Sequence, residues 1–141
     1  MFFRKIYGSW EGIQKQKHEK IFKAMRALGA RPPGIDIGAG VFMFKYPFDF
    51  VRVDIQGNVD VLADGSRLPF RHETFNTTLS VDSLHLFSWK EAERVLAKGG
   101  MMFASLPWSK RNLLDDVGME KVMEAEIPGR EKEALAVFKK K

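Results

Sequence analysis

A chain of 141 residues, 45% hydrophobic and 29% charged, carries enough apolar material for one core and is not a disordered or low-complexity protein. The absence of cysteine excludes a disulfide framework and a thiolate metal site, and no run approaches the roughly 20 apolar residues that cross a bilayer. The net charge of +5 is uneven: residues 1–31 hold eight bases against two acids, residues 32–129 ten against fourteen, and residues 130–141 five against two.

In chain order, residues 9–28 read as an amphipathic helix. Ser9 is a candidate cap, apolar residues recur at Trp10, Ile13, Ile21, Ala24, Met25 and Leu28, and Gly29 stops it. Arg31-Pro32-Pro33-Gly34 breaks the chain before a short apolar strand, Ile35-Asp36-Ile37, which runs into Gly38-Ala39-Gly40. A helical turn is expected over Val41–Tyr46. Strands follow at Phe50–Ile55, Val59–Asp64 and Thr77–Val81, with too few residues between Ile55 and Val59 for a helix. Ser88 and Glu91 have capping-box spacing and predict a helix to Lys98, stopped by Gly99-Gly100. Met101–Leu106 reads as a fifth strand and Ser109–Val117 as a short helix. Met123, Ala125 and Ile127 alternate with acids as in a half-exposed strand, and Ala134–Phe138 is its partner across Pro128-Gly129. The pattern predicts an α/β fold: a mainly parallel, doubly wound sheet with helices on both faces, closed by a C-terminal antiparallel hairpin and lacking the helix between strands two and three. Residues 1–141 read as one domain, with 1–31 a basic helical arm and 32–141 the core.

The carboxylates fall in a pattern. Asp36 precedes the glycine turn, Asp54 ends the second strand and Asp64 ends the third. Ligands of open α/β sheets bind beyond the carboxyl ends of the strands, so all three acids are expected at one crevice. Glycine lets backbone approach a ligand closely, an acid at the tip of strand two suits a ribose diol, and an acceptor on strand three suits an adenine amine. No lysine follows the glycines as in a phosphate-binding loop, and Met43 stands where a dinucleotide fingerprint needs its third glycine. An acid beside the loop opposes a pyrophosphate and tolerates a cation, which points to a positively charged nucleoside.

Gly34-Ile35-Asp36-Ile37-Gly38-Ala39-Gly40 resembles the first motif of class I S-adenosylmethionine (SAM)-dependent methyltransferases. Val53-Asp54-Ile55 is similar to their second, and Ala63-Asp64-Gly65-Ser66-Arg67-Leu68-Pro69-Phe70 to their adenine-binding segment. The stretch from Phe75 to His85 resembles the fourth motif, and Glu93–Gly100 resembles the helix and turn before strand five. The similarity runs in order from about residue 34 to 106. It implies SAM as cofactor, with Asp36 and the Gly38-Ala39-Gly40 backbone around the methionine portion. It also implies Asp54 on the ribose hydroxyls, Ile55 on the adenine face, Asp64 on the adenine amine, Gly65 offering backbone to the ring, and the Ser80 carbonyl on the methionyl amine. Phe42 departs from the family's usual third glycine.

Each of these residues also has a plainer reading: Asp36 bonded to its own turn, Asp64-Gly65 an ordinary turn dipeptide, the Ser80 side chain incidental. Asp54 has no evident structural need. His85, beyond strand four, is a candidate catalytic base but is read as a hydrogen-bonded histidine in a helix start, and Asp82 is equally a helix cap or a substrate anchor. His18 and His72 are read as surface residues, and no metal site is indicated. Tyr7, Trp10, Phe42, Phe44, Phe48 and Phe50 are read as packing. Methyl transfer demands position more than acid–base chemistry, so no catalytic residue stands out. Residues 80–85 lack the Asn/Asp-Pro-Pro-aromatic motif of amino-group methyltransferases acting on nucleobases or protein glutamine, and look more like the branch that acts on small molecules.

A methyltransferase with a small-molecule acceptor is therefore the leading expectation. An RNA or ribosome-linked methyltransferase, drawn from the basic ends, is the second, against the simpler account of those ends as a solvated helix face and a lysine tail. A non-catalytic domain serving a partner protein is the third. With almost no inserted substrate domain, a homo-oligomer or partner subunit is expected to complete the acceptor site. Met1-Phe2-Phe3-Arg4-Lys5 lacks the features of a signal peptide, so a cytoplasmic location and no membrane partner are expected.

Overall fold

A computed structural model describes residues 2–40 and 45–141, with residues 2–11 described through their backbone. Helix α1, Phe2–Ala27, begins seven residues before the expected start. Ser9 lies inside it, and Gly8 costs only about 1 kcal/mol, which a helix of this length absorbs. It ends as the sequence indicates. Gly29 adopts φ +72, the Ala30 amide donates to the Met25 carbonyl (2.9 Å) and the Gly29 amide to that of Arg26 (3.3 Å), a Schellman closure.

Seven strands follow: β1 Gly34–Ile37, β2 Phe50–Asp54, β3 Val61–Leu62, β4 Phe75–Val81, β5 Leu96–Pro107, β6 Glu120–Ile127 and β7 Glu133–Lys139. They form one sheet in the order β3-β2-β1-β4-β5-β7-β6. Strands β1 to β5 are parallel, and β7 runs antiparallel to both β5 and β6. The winding reverses between β1 and β4, where such sheets open their ligand crevice. The expected sheet and its hairpin are present, and β2 passes to β3 without a helix between them.

Side chains alternate between two cores. On one face Ile21, Phe22 and Met25 of α1 bury against Leu79, Phe103, Leu135, Val137 and Ile127. On the other, Ile35, Ile37, Val53, Met102, Ala104 and Leu106 pack under helix α2 (Trp89–Arg94) and a 3₁₀ helix (Trp108–Asp116), through Ala92, Val95 and Leu114. No described helix is long and apolar enough to cross a membrane.

Several boundaries differ for physical reasons. Helix α2 stops at Arg94, because Val95 and Leu96 are fully buried and the Val95 carbonyl receives the Phe75 amide (2.9 Å). Gly99 is therefore no helix stop. It sits within β5 at φ +81, its amide bonded to the Lys140 carbonyl. Lys140 is no free tail either, since its Nζ donates to the Glu93 carbonyl near the end of α2 and to the Leu96 carbonyl at the start of β5 (2.7 Å each). Ser88 caps α2 by accepting from the Lys90 amide, while Glu91 turns away to Arg94 and the Leu68 amide, so the reciprocal half of the capping box does not form. Strand β3 keeps two of its six expected residues, because the Asp60 carboxylate takes the Arg52 amide (2.8 Å) ahead of it. The turn expected over Val41–Tyr46 falls largely on residues 41–44, outside the described residues; Lys45 and Tyr46 are not helical.

Candidate functional site at the carboxyl rim of the sheet

Where β1 ends, the Gly38 and Ala39 amides both donate to the Val53 carbonyl (2.8 and 3.0 Å), folding the glycine turn over β2. Gly38 adopts φ +77, and a Cβ there would sit 2.6 Å from the Ser83 side chain, so neither the backbone nor the space admits another residue. Gly40 lies at φ +59, and an added Cβ there would meet nothing within 4 Å among the described residues. Its amide donates to Asp54 Oδ2 (2.8 Å), the Ile55 amide donates to Asp54 Oδ1 (2.7 Å), and Arg52 Nη2 reaches the Gly40 carbonyl (3.4 Å). Asp54 thus has a structural duty that the sequence did not show: it holds the glycine turn to β2. Beside it the Ile55 side chain is left 69% exposed.

From the other side, Ser83 Oγ donates to the Ile37 carbonyl (2.9 Å) and lies 2.9 Å from Ser80 Oγ, so the Ser80 side chain braces the end of β1. Gly65 follows β3 and packs against β1: a Cβ there would meet the Phe87 ring at 2.7 Å and Ile37 at 2.9 Å. The structure therefore brings Asp36, Gly38, Ala39, Gly40, Asp54, Ile55, Gly65 and Ser80 to one rim. Asp64 reaches the same edge but points into its own turn, with Oδ1 accepting from the Ser66 amide (2.8 Å) and its carbonyl from the Arg67 amide.

Asp36 is 1% exposed. It is not bonded to its own turn: Tyr46 Oη donates to Oδ2 (2.5 Å), and Oδ1 has no partner among the described residues. Burial pushes its carboxyl up to about 7, against the opposing pull of Tyr46 and Arg52 and with the help of nearby Asp54. The Tyr46 phenol is raised as well, by burial and by the charge of Asp36.

Other expectations need correction. His18 is buried, with Nδ1 donating to the Gln14 carbonyl (2.8 Å), and burial holds its imidazole down to about 4. Asp82 and His85 lie in the bend and turn ahead of α2, whose cap is Ser88 rather than Asp82. Asp82 instead takes a left-handed backbone (φ 55) and accepts from Lys17 Nζ (2.6 Å), which also pairs with Glu133. His85 Nδ1 is buried without a partner among the described residues. His72 is exposed. Phe48 and Phe50 stack at 5.0 Å, and Phe50 on Tyr46 at 4.7 Å. Phe42, Phe44 and the side chains of Tyr7 and Trp10 lie outside the described residues. Tyr46, Lys17 and Glu133 were missed. Lys17 left a signal, since a lysine between Ile13 and Ile21 at i, i+4 spacing lies on the apolar stripe of α1.

No family model matches the chain, and no curated relative matches it. Solved structures do. A protein of Pyrococcus horikoshii OT3 is 19% identical with TM-score 0.70, covering 96% of this chain and 91% of its own. A SAM-dependent methyltransferase of Thermotoga maritima is 16% identical with TM-score 0.67 (99% and 96%). The N-methyltransferase NodS of Bradyrhizobium japonicum, solved with S-adenosylhomocysteine, is 14% identical with TM-score 0.72 (91% and 87%). The fold is that of the class I SAM-dependent methyltransferases.

Proposed function

We propose that this chain is a SAM-dependent methyltransferase acting on a small-molecule acceptor, with residues 1–141 working as one domain. The carrying observation is the rim: a bare glycine turn held by the Asp54 carboxylate, beside the exposed Ile55 and above a buried carboxyl with one oxygen unpartnered among the described residues. Those features fit a cationic nucleoside. Ile55 offers an apolar face for an adenine, Asp54 an acceptor for ribose hydroxyls, Gly40 and Gly65 their backbone, and Asp36 a buried carboxyl near a sulfonium. Ser80 would contribute its carbonyl, and Asp64 its second carboxylate oxygen. When bound, SAM supplies an electrophilic methyl group. The chain's own part is to fix that group in line with the acceptor and to exclude water. The fold likeness supports this reading, as does the methyltransferase activity carried by NodS and the Thermotoga protein.

Calorimetric titration with S-adenosylhomocysteine tests it. The parent chain should bind one equivalent. Asp54→Asn keeps an acceptor for the Gly40 amide, gives up the one for the Ile55 amide and removes the charge. It should lose about 1.5–3 kcal/mol of affinity, roughly 10- to 100-fold, while remaining folded. A folded parent chain that gives no heat contradicts the proposal.

A further inference from the structure

Tyr46 lies between the glycine turn and β2, outside any helix or strand, and packing fixes its ring. The ring stacks on Phe50 (centroids 4.7 Å apart, planes 19° apart) and meets Phe22 of α1 at a tilt (5.7 Å). Those contacts do not involve the hydroxyl. It has a separate duty, since Oη donates to Asp36 Oδ2 (2.5 Å).

The groups around the Asp36 carboxyl are few. Asp36 pairs with Arg52 of β2 and Leu79 of β4, on the sheet face that α1 covers. Val51 and Val53 enter the opposite core, so Arg52 and Asp54 share the face of Asp36. From β2, the Arg52 guanidinium favours the charged form of Asp36 and Asp54 opposes it. From β4, Leu79 brings no charge. From α1 come Phe22 and, edge-on to that ring at 5.8 Å, His18, which burial holds down to about 4 and therefore neutral above pH 5. Burial favours the protonated acid. The Tyr46 hydroxyl opposes it, because a donor bonds a carboxylate more strongly than a neutral carboxyl, and the balance stands at about 7. Oδ1 has no partner among the described residues, and only Ile37 separates Asp36 from the glycine turn that Asp54 holds.

We propose that Tyr46 is a positioning residue of the cofactor site: its hydroxyl keeps the Asp36 carboxyl able to ionise, and the ionised form favours a cationic cofactor on the glycine turn. The inference rests on the methyltransferase reading above. Asp36 is 1% exposed and acts through space rather than by contact, in surroundings of low polarity that screen its charge less than water does. The exchange involves one proton. A cation on the turn draws Asp36 into its charged form, and the proton passes to solvent. Affinity therefore climbs as pH rises toward 7 and levels off above it, where the free protein has already lost the proton.

The test is calorimetric titration with S-adenosylhomocysteine, whose amino group is cationic, from about pH 5.5 to 8 in two buffers of different protonation heat. It uses the parent, Tyr46→Phe and Asp36→Asn, with thermal midpoints measured alongside. The parent should gain about tenfold in affinity over this range, one unit of linked pKa, and release a proton on binding below neutrality. Tyr46→Phe keeps the stacked ring and removes the donor. It should move the rise to higher pH by about one unit, so that affinity falls severalfold at neutrality and largely returns at the alkaline end. Asp36→Asn should bind with the same affinity across the range. A Tyr46→Phe loss of equal size at every pH would mark a purely structural hydroxyl and overturns the proposal. So does a parent whose affinity ignores pH, or an Asp36→Asn that keeps the parent's slope. Should Tyr46→Phe fail to fold, fluorotyrosine placed at position 46 decides: its stronger donor should move the rise to lower pH, and an unmoved rise overturns the proposal. A folded parent that binds no S-adenosylhomocysteine at any pH sinks the methyltransferase reading itself.

Discussion

Asp36 buries its carboxyl group beneath the glycine turn with a single hydrogen bond among the described residues, and that gives it a sign in the pH dependence of stability. Its folded value, about 7, lies above the ordinary 3.8. Between those values the unfolded chain has lost the proton while the folded chain keeps it, so the contribution of Asp36 to stability declines as pH rises through this window. His18 acts oppositely: its folded value of about 4 lies below 6.5, so its contribution is lost as pH falls from 6.5 to 4. The two overlap, and a difference measurement separates them. Relative to the parent, Asp36→Asn should gain urea midpoint steadily from pH 4 to 7; a gap that is flat across this range contradicts the assignment. Of the rim residues, Asp36 and Asp54 were legible in the sequence because acids at strand ends beside glycines are rare without a reason. Tyr46 was not. Its bond to Asp36 joins residues ten apart through a segment with no periodic pattern.

At the scale of elements, the connection after β3 depends on close packing against β1 and Phe87. Gly65→Ala places a methyl 2.7 Å from the Phe87 ring and 2.9 Å from Ile37, both committed to the core beneath the rim. It should cost about 1–3 kcal/mol in denaturant unfolding. A change below experimental error would show that this contact can yield. The elements themselves were legible where burial is one-sided, as along α1, whose apolar period shows directly, or where an apolar run marks a strand buried on both faces, as in β7. They were misread where local propensity met tertiary demand. Lys98-Gly99-Gly100 looks like a helix end, yet the burial of Val95 and Leu96 converts the residues before it to strand. Ser88 and Glu91 carry capping-box spacing, but Arg94 captures the glutamate.

Across the whole molecule, a seven-strand sheet that reverses its winding between β1 and β4 gathers residues from four strand ends, 36 to 80 in the sequence, onto one rim. Helix α1 is pinned to that same edge by Lys17, through strands β4 and β7 that no sequence pattern links to it. The order of the motifs made the sheet legible, whereas the clasp of α1 depended on which buried groups meet in three dimensions. The most direct test of the account is amide NMR of the isotopically labelled chain titrated with S-adenosylhomocysteine. It predicts saturable shifts centred on Gly38, Ala39, Gly40, Ile55 and Gly65. Shifts confined to the cleft of about 360 Å³ between the 3₁₀ helix and the hairpin, around Trp108 and Glu126, or no shifts at all, would contradict it.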